Sequence, residues 1–168
     1  MDILWAPWRM KYIEYEAIKK RKECIFCTAA TTENMEDNLV LHRTRLSVAL
    51  MNLYPYNTGH LLIAPKRHIA SVEDLSENEL QDLFNLVNRC LKLLRAVFNP
   101  DGFNIGINLG RVAGAGIEDH VHVHVVPRWN GDTNFMPVIS NTKVIPEALK
   151  DTYKRLLAKK ELLCQSMI

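Results

Sequence analysis

The 168-residue chain is 48% hydrophobic and 24% charged, with a formal net charge of +2. These values suit one core-forming domain and exclude wholesale disorder, and so balanced a charge gives no bulk electrostatic reason to expect nucleic acid or a membrane as partner. No apolar run approaches the roughly 20 residues of a membrane span, and no basic segment leads into an apolar one at the N-terminus, so a cytoplasmic location is expected, with cysteines as thiols or metal ligands.

Residues 1–22 form an N-terminal extension whose Trp5 and Trp8 are expected to pack on something. Cys24-Ile-Phe-Cys27 has ligand spacing, but one C-x-x-C is half a site. Residues 28–38 read as polar loop, and His42, among Arg43 and Arg45, as a surface or phosphate-proximal side chain. Leu46–Asn52 reads as a strand, Pro55, Asn57 and Gly59 as a turn, and His60–Ala64 as the antiparallel return, with His60 in a structural hydrogen-bonding role. The clearest helix spans Glu77–Phe98. Ser76 is its N-cap and Glu79 completes a capping box. Leu80, Leu83, Phe84, Val87, Leu91, Leu94 and Phe98 form its apolar stripe, with Cys90 as a buried thiol beside it. Phe103–Asn108 reads as a strand followed by the glycine-rich loop Gly110–Gly116. Val121, Val123, Val125 and Val126 mark another strand, residues 128–145 a loop, and residues 146–168 a helical tail opened by Pro146, with Leu149, Tyr153, Leu156 and Leu157 on one face. Helices and antiparallel strands mixed without β-α-β alternation predict an α+β fold in one domain, 1–168.

Three of the six histidines fall in His120-Val-His-Val-His124. Alternate strand residues share a face, so His120, His122 and His124 are expected to line one face and the valines the core, three adjacent imidazoles being costly to bury. Imidazole binds metals, relays protons or attacks electrophiles, and residue type alone leaves these open beside a solvated edge strand or a non-catalytic metal site.

With Val125 and Val126 following, His120–Val126 resembles the motif of the histidine-triad family. Ser47–Asn52, Pro55 with Gly59–Lys66, and Phe103–Asn108 with its glycine loop extend the likeness. Trp5–Ile13 and Pro127–Pro137 are similar to the bacterial branch related to diadenosine tetraphosphate phosphorylase. The resemblance implies an antiparallel sheet with a long central helix and a C-terminal helix, the sheet extended across a homodimer.

It also implies that His122 attacks the α-phosphorus of a nucleotide to form a covalent nucleotidyl-histidine. Inorganic phosphate or water would then release the nucleotide. His124, Asn108, Gly114, Ala115 and Gly116 would bind phosphate, the glycines letting backbone N–H groups approach, and Asn52 would bind ribose. Leu50 and Leu53 are split between base wall and core. Ala115-Gly116-Ile117 lacks the hydroxyl that many members carry, a departure that fits phosphorolysis of diadenosine tetraphosphate to ADP and ATP. The other readings are hydrolysis of dinucleoside polyphosphates or nucleoside phosphoramidates, a uridylyl transfer of the same chemistry, and a non-catalytic purine-nucleotide sensor or zinc-stabilised interaction module. Bacterial members that bind zinc through a C-x-x-C imply a structural zinc on Cys24, Cys27, His68 and His120. No organic cofactor is implied.

Overall fold

A computed structural model describes residues 24–135, 139 and 144–164. The Trp5 and Trp8 segment, part of Pro127–Pro137 and the last four residues of the tail lie outside the described residues. The fold is α+β. Strands β1 (Val40–Arg43), β2 (Ser47–Met51), β3 (Leu61–Pro65), β4 (Gly102–Ile107) and β5 (Val123–Arg128) form one antiparallel sheet in the order β1-β2-β3-β5-β4. The helices are α1 (Ile25–Thr31), α2 (Glu77–Phe98), α3 (Leu149–Leu157) and α4 (Glu161–Cys164). No helix among the described residues is long and apolar enough to cross a membrane.

Helix α2 has the expected bounds and cap. The Ser76 hydroxyl accepts from the Glu79 N–H, and the Glu79 carboxylate accepts from the Ser76 N–H. Its buried stripe differs from the expected one: Leu83, Leu86, Val87, Cys90, Leu93 and Leu94 face the sheet, while Leu80 and Phe84 are exposed. The helix is apolar over a wide arc, and the sheet selects its 83/86/90/93 side, which periodicity alone does not fix.

The two faces of the sheet carry separate cores. Ala49, Met51, Leu61, Ile63, Val123 and Val125 pack with α2, Tyr153 and Leu156. Val48, Leu50, Leu62 and Ala64 pack on the opposite face with Phe26 and Ala29 of α1. Leu50 is therefore core, whereas Leu53 is exposed.

Four local expectations change. Residues 28–31 are helical, because Phe26 and Ala29 bury one side of α1 and Arg43 closes its end, donating to the Ala29 carbonyl at 2.7 Å and the Thr32 carbonyl. Strand β1 went unread. Its Val40 and Leu41 are buried, and the Tyr153 hydroxyl donates to the Val40 carbonyl at 2.8 Å. His42 lies on it, half-buried rather than at the surface. The C-terminal helix begins at Leu149, not Pro146, and is broken after Leu157 by turns at Ala158–Lys160.

The β2–β3 hairpin is closed by the Asn52 N–H donating to the His60 carbonyl at 2.9 Å. Gly59 has φ +75°, and a Cβ there would meet Leu94 at 3.1 Å and Phe98 at 3.2 Å, so the turn requires glycine. Asn57, buried in the same turn, donates to the Pro127 carbonyl at 3.0 Å and to the Asp132 carboxylate at 2.9 Å, tying the turn to the end of β5.

Candidate active site and metal centre

The three triad histidines lie on the α1 face of the sheet, opposite Val123 and Val125. Only His124 is within β5; His120 and His122 precede its first residue, Val123. The expectation that these rings avoid burial is corrected. His120 is fully buried and His122 is 4% exposed. Burial is tolerated because the ring nitrogens find partners and Phe26 covers both rings, at centroid distances of 5.1 Å and 4.7 Å.

These partners fix the protons. A carbonyl only accepts, so His122 Nδ1, 2.9 Å from the His120 carbonyl, carries the hydrogen and Nε2 keeps its lone pair. Burial holds the His122 pKa below the ordinary range, against the bond to His120, so the ring is neutral at pH 7. The same reading runs through His60, which is fully buried. Its Nδ1 accepts from the Tyr56 backbone N–H at 3.1 Å and faces the Asn52 amide nitrogen at 3.2 Å. Its Nε2 therefore carries the hydrogen and donates to His124 Nδ1 at 3.0 Å. That leaves His124 Nε2 as an N–H donor. Burial first, then neighbouring imidazoles, push His60 down to about 3 and His124 to about 4. The flanking ring thus offers a neutral N–H rather than an imidazolium charge.

The second cluster joins elements far apart in sequence. Ligand atoms of Cys24, Cys27, His68 and His120 lie within 4.8 Å of one another. Cys24 Sγ is 3.2 Å from His120 Nδ1, Cys27 Sγ is 3.3 Å from His68 Nδ1, and the two Nδ1 atoms are 3.2 Å apart. His120 Nε2 donates to the Pro65 carbonyl at 2.8 Å, so its Nδ1 lone pair faces the cluster. Burial pushes the Cys27 thiol up, and the adjacent Cys24 adds to this. Two neighbouring sulfurs and two imidazoles, one with its outer N–H held by a carbonyl, form a donor set suited to a tetrahedral divalent ion such as zinc.

The remaining expected residues surround the triad unevenly. The Asn52 side-chain oxygen accepts from the Tyr54 N–H at 2.9 Å, so its amide is held at both ends. Asn108, just past β4, donates to the Gly114 carbonyl at 3.4 Å, joining the strand end to the glycine loop. The loop amides are less available than expected: the Gly114 N–H donates to the Arg111 carbonyl at 2.9 Å and the Ala115 N–H to the Gly110 carbonyl at 3.3 Å. Phe26 and Tyr56 were not singled out from the sequence. Tyr56 packs at a tilt against His60 at 4.7 Å and stacks on His124 at 5.9 Å. The signal for Phe26 was its position inside the C-x-x-C; nothing in the hairpin turn marked Tyr56.

Comparisons with known proteins agree with this arrangement. The model of the HIT domain matches residues 33–131. AP-4-A phosphorylase of Mycobacterium tuberculosis is 41% identical over 160 residues, covering 92% of this chain and 82% of that protein. An adenosine 5'-monophosphoramidase of Schizosaccharomyces pombe is 31% identical over 127 residues, covering 76% of this chain and 90% of that protein. Among solved structures, a hypothetical histidine triad nucleotide-binding protein from Sulfolobus tokodaii superposes with a TM-score of 0.63 at 26% identity, covering 83% of this chain and 91% of that one.

Proposed function

This chain belongs to the HIT domain family, and from that membership we propose that it is a nucleotide-processing enzyme, a phosphorylase of dinucleoside polyphosphates. The observation that carries the chemistry is the His122 tautomer: with Nδ1–H held by the His120 carbonyl, Nε2 is a lone-pair nucleophile on a neutral ring. Nε2 attacks the α-phosphorus of diadenosine tetraphosphate. The bond to the bridging oxygen breaks, ATP leaves, and AMP remains on His122. Inorganic phosphate attacks the same phosphorus from the vacated side, the P–N bond breaks, and ADP departs. Two in-line displacements replace one difficult encounter of two anions.

His124 lies on the same face as His122, with ring centroids 4.9 Å apart. Its Nε2–H donates to a non-bridging oxygen as charge builds there. Asn108, tied to the glycine loop through Gly114, holds the outer phosphates, and Asn52, its amide already oriented, pairs with the ribose hydroxyls. Cys24, Cys27, His68 and His120 would hold a structural zinc, which would anchor α1 beside the triad and supply no group to the reaction. The functional unit is a homodimer: β4 pairs only with β5 among the described residues, and its Ile105 is 47% exposed at that edge.

Hydrolysis is the second reading, favoured by the likeness to a monophosphoramidase. Incubation with diadenosine tetraphosphate, with and without labelled inorganic phosphate, separates them. Phosphorolysis gives labelled ADP and ATP only when phosphate is present; AMP without phosphate identifies a hydrolase. His122→Ala abolishes turnover under either reading, and binding that persists with no turnover in the unaltered protein would identify a nucleotide sensor instead.

A further inference from the structure

Helix α1 has seven residues and no side-chain cap at its N-terminus. A helix so short does not hold itself in water, so its position is set by tertiary contacts. Among the described residues these are the burial of Phe26 and Ala29, the Arg43 bonds at its C-terminal end, and the two sulfurs that join His68 and His120. Phe26 lies between those sulfurs in sequence and is fully buried. Its ring tilts 33° from the His122 ring at a centroid distance of 4.7 Å. Among the described residues His122 also has one hydrogen bond, to the carbonyl of His120, and a tilted contact with the His124 ring at 4.9 Å. The bond at Nδ1 fixes the tautomer, and packing against the face of the ring supplies the rest of the restraint on its plane.

We propose that Phe26 is a positioning residue for His122, and that the four-donor cluster sets the ring plane of the nucleophile by fixing Phe26 against it. The proposal rests on the reading of His122 as nucleophile. The cluster reaches His122 by two covalently short routes. Through Cys24 and Cys27 it seats Phe26 on one face of the ring. Through His120 it fixes the carbonyl that holds Nδ1–H, because that residue's own ring is pinned between the cluster and Pro65. A metal at the cluster therefore adds rigidity at the reacting atom without touching substrate. An in-line displacement at phosphorus is sensitive to such rigidity, since a misplacement on the order of 1 Å can cost about a hundredfold in rate.

The test uses the zinc-loaded protein, Phe26→Ala, Phe26→Leu, and wild type stripped of metal by a chelator. Four quantities are read: bound zinc per chain, kcat and KM for diadenosine tetraphosphate with inorganic phosphate, and the imidazole nitrogen signals of His122. In the loaded wild type His122 shows a single Nδ1–H tautomer with a narrow line. Phe26→Ala keeps its zinc, loses about tenfold or more in kcat with KM little changed, and broadens or splits the His122 signals. Phe26→Leu, which refills most of the space, recovers most of kcat and the narrow line, and the stripped wild type covers the case in which the alanine variant does not fold. Stripping the metal broadens the same signals.

His122 signals unchanged in Phe26→Ala, or unchanged in the stripped protein, would overturn the proposal, as would a loss confined to KM. The spectra do not depend on whether His122 forms a covalent bond. Full activity of His122→Ala would therefore defeat the catalytic reading, while unchanged spectra would defeat the positioning of the ring by Phe26.

Discussion

His60 Nε2 and His124 Nδ1 lie 3.0 Å apart, and only one direction of donation is open to them. Because His60 Nδ1 already accepts from Tyr56, the hydrogen is on His60. Substituting His60 by Ala or Phe removes that donor and lets His124 invert its tautomer, turning its outer nitrogen from donor to acceptor. A loss of about 10- to 100-fold in kcat is expected, with KM less affected. Steady-state kinetics decide it; wild-type kcat in these variants would exclude the relay.

The same two rings make stability depend on pH. Both have folded-state pKa values, about 3 and about 4, below the ordinary 6.5, chiefly through burial. In the unfolded chain they take up protons near pH 6.5, so between pH 6.5 and about 4 the unfolded state binds more protons and stability falls as pH falls. The contribution is complete above pH 6.5. Thermal denaturation from pH 7.5 to 4.5 checks this, with a flatter profile expected for His60→Asn than for wild type.

Metal removal offers a third check. Chelation, or Cys24→Ser with Cys27→Ser, is expected to abolish zinc binding at one ion per chain and to lower Tm on the order of 10 °C. Elemental analysis with calorimetry measures both. An unchanged Tm after complete removal would mean that the cluster holds nothing together.

Glu79 connects the cap of α2 to the loop that carries His68. Its carboxylate accepts from the Ser76 N–H and hydroxyl and takes two bonds of 2.8 Å from Arg67, which hold its pKa down to about 2. Glu79→Ala is expected to cost about 1–3 kcal/mol by urea denaturation. Arg67→Ala costs less, because that guanidinium is half exposed. Glu79 protonates in the unfolded chain near 4.5, so its contribution is present above that pH and is lost as pH falls toward 2.

Gly59→Ala tests the hairpin turn. A side chain at φ +75°, with Leu94 and Phe98 inside 3.3 Å, is expected to cost about 1–3 kcal/mol and to lower activity through His60, the next residue. Denaturant melts of the variant against wild type measure it.

Much of this was legible in the residues. Helix α2 was readable end to end, because Ser76, Glu79 and Asn99 each mark a backbone geometry that few side chains satisfy. The triad was readable because alternation sorts histidine and valine onto opposite faces. The four-donor cluster was readable only by resemblance, since nothing local links Cys24 to His68. What escaped was decided at a distance. Strand β1 has little strand signal of its own and depends on β2 and on a hydroxyl 113 positions away. The buried side of α2 was chosen by the sheet. The burial of His120 and His122 was hidden because their cover, Phe26, belongs to a helix too short to announce itself.

Pairing of β5 with β3 and β4 sets Val123 opposite Ile63 and Ile107, and His124 opposite Leu62 and Gly106. A slip of one residue would exchange the contents of the two compartments, sending imidazoles into the oily space beneath α2 and valines to the face beneath Phe26. Alignment of these neighbours is thus what keeps the imidazoles together on one face. Engineering that loosens Ile63 or Ile107 should first scramble chemistry, while gross folding survives.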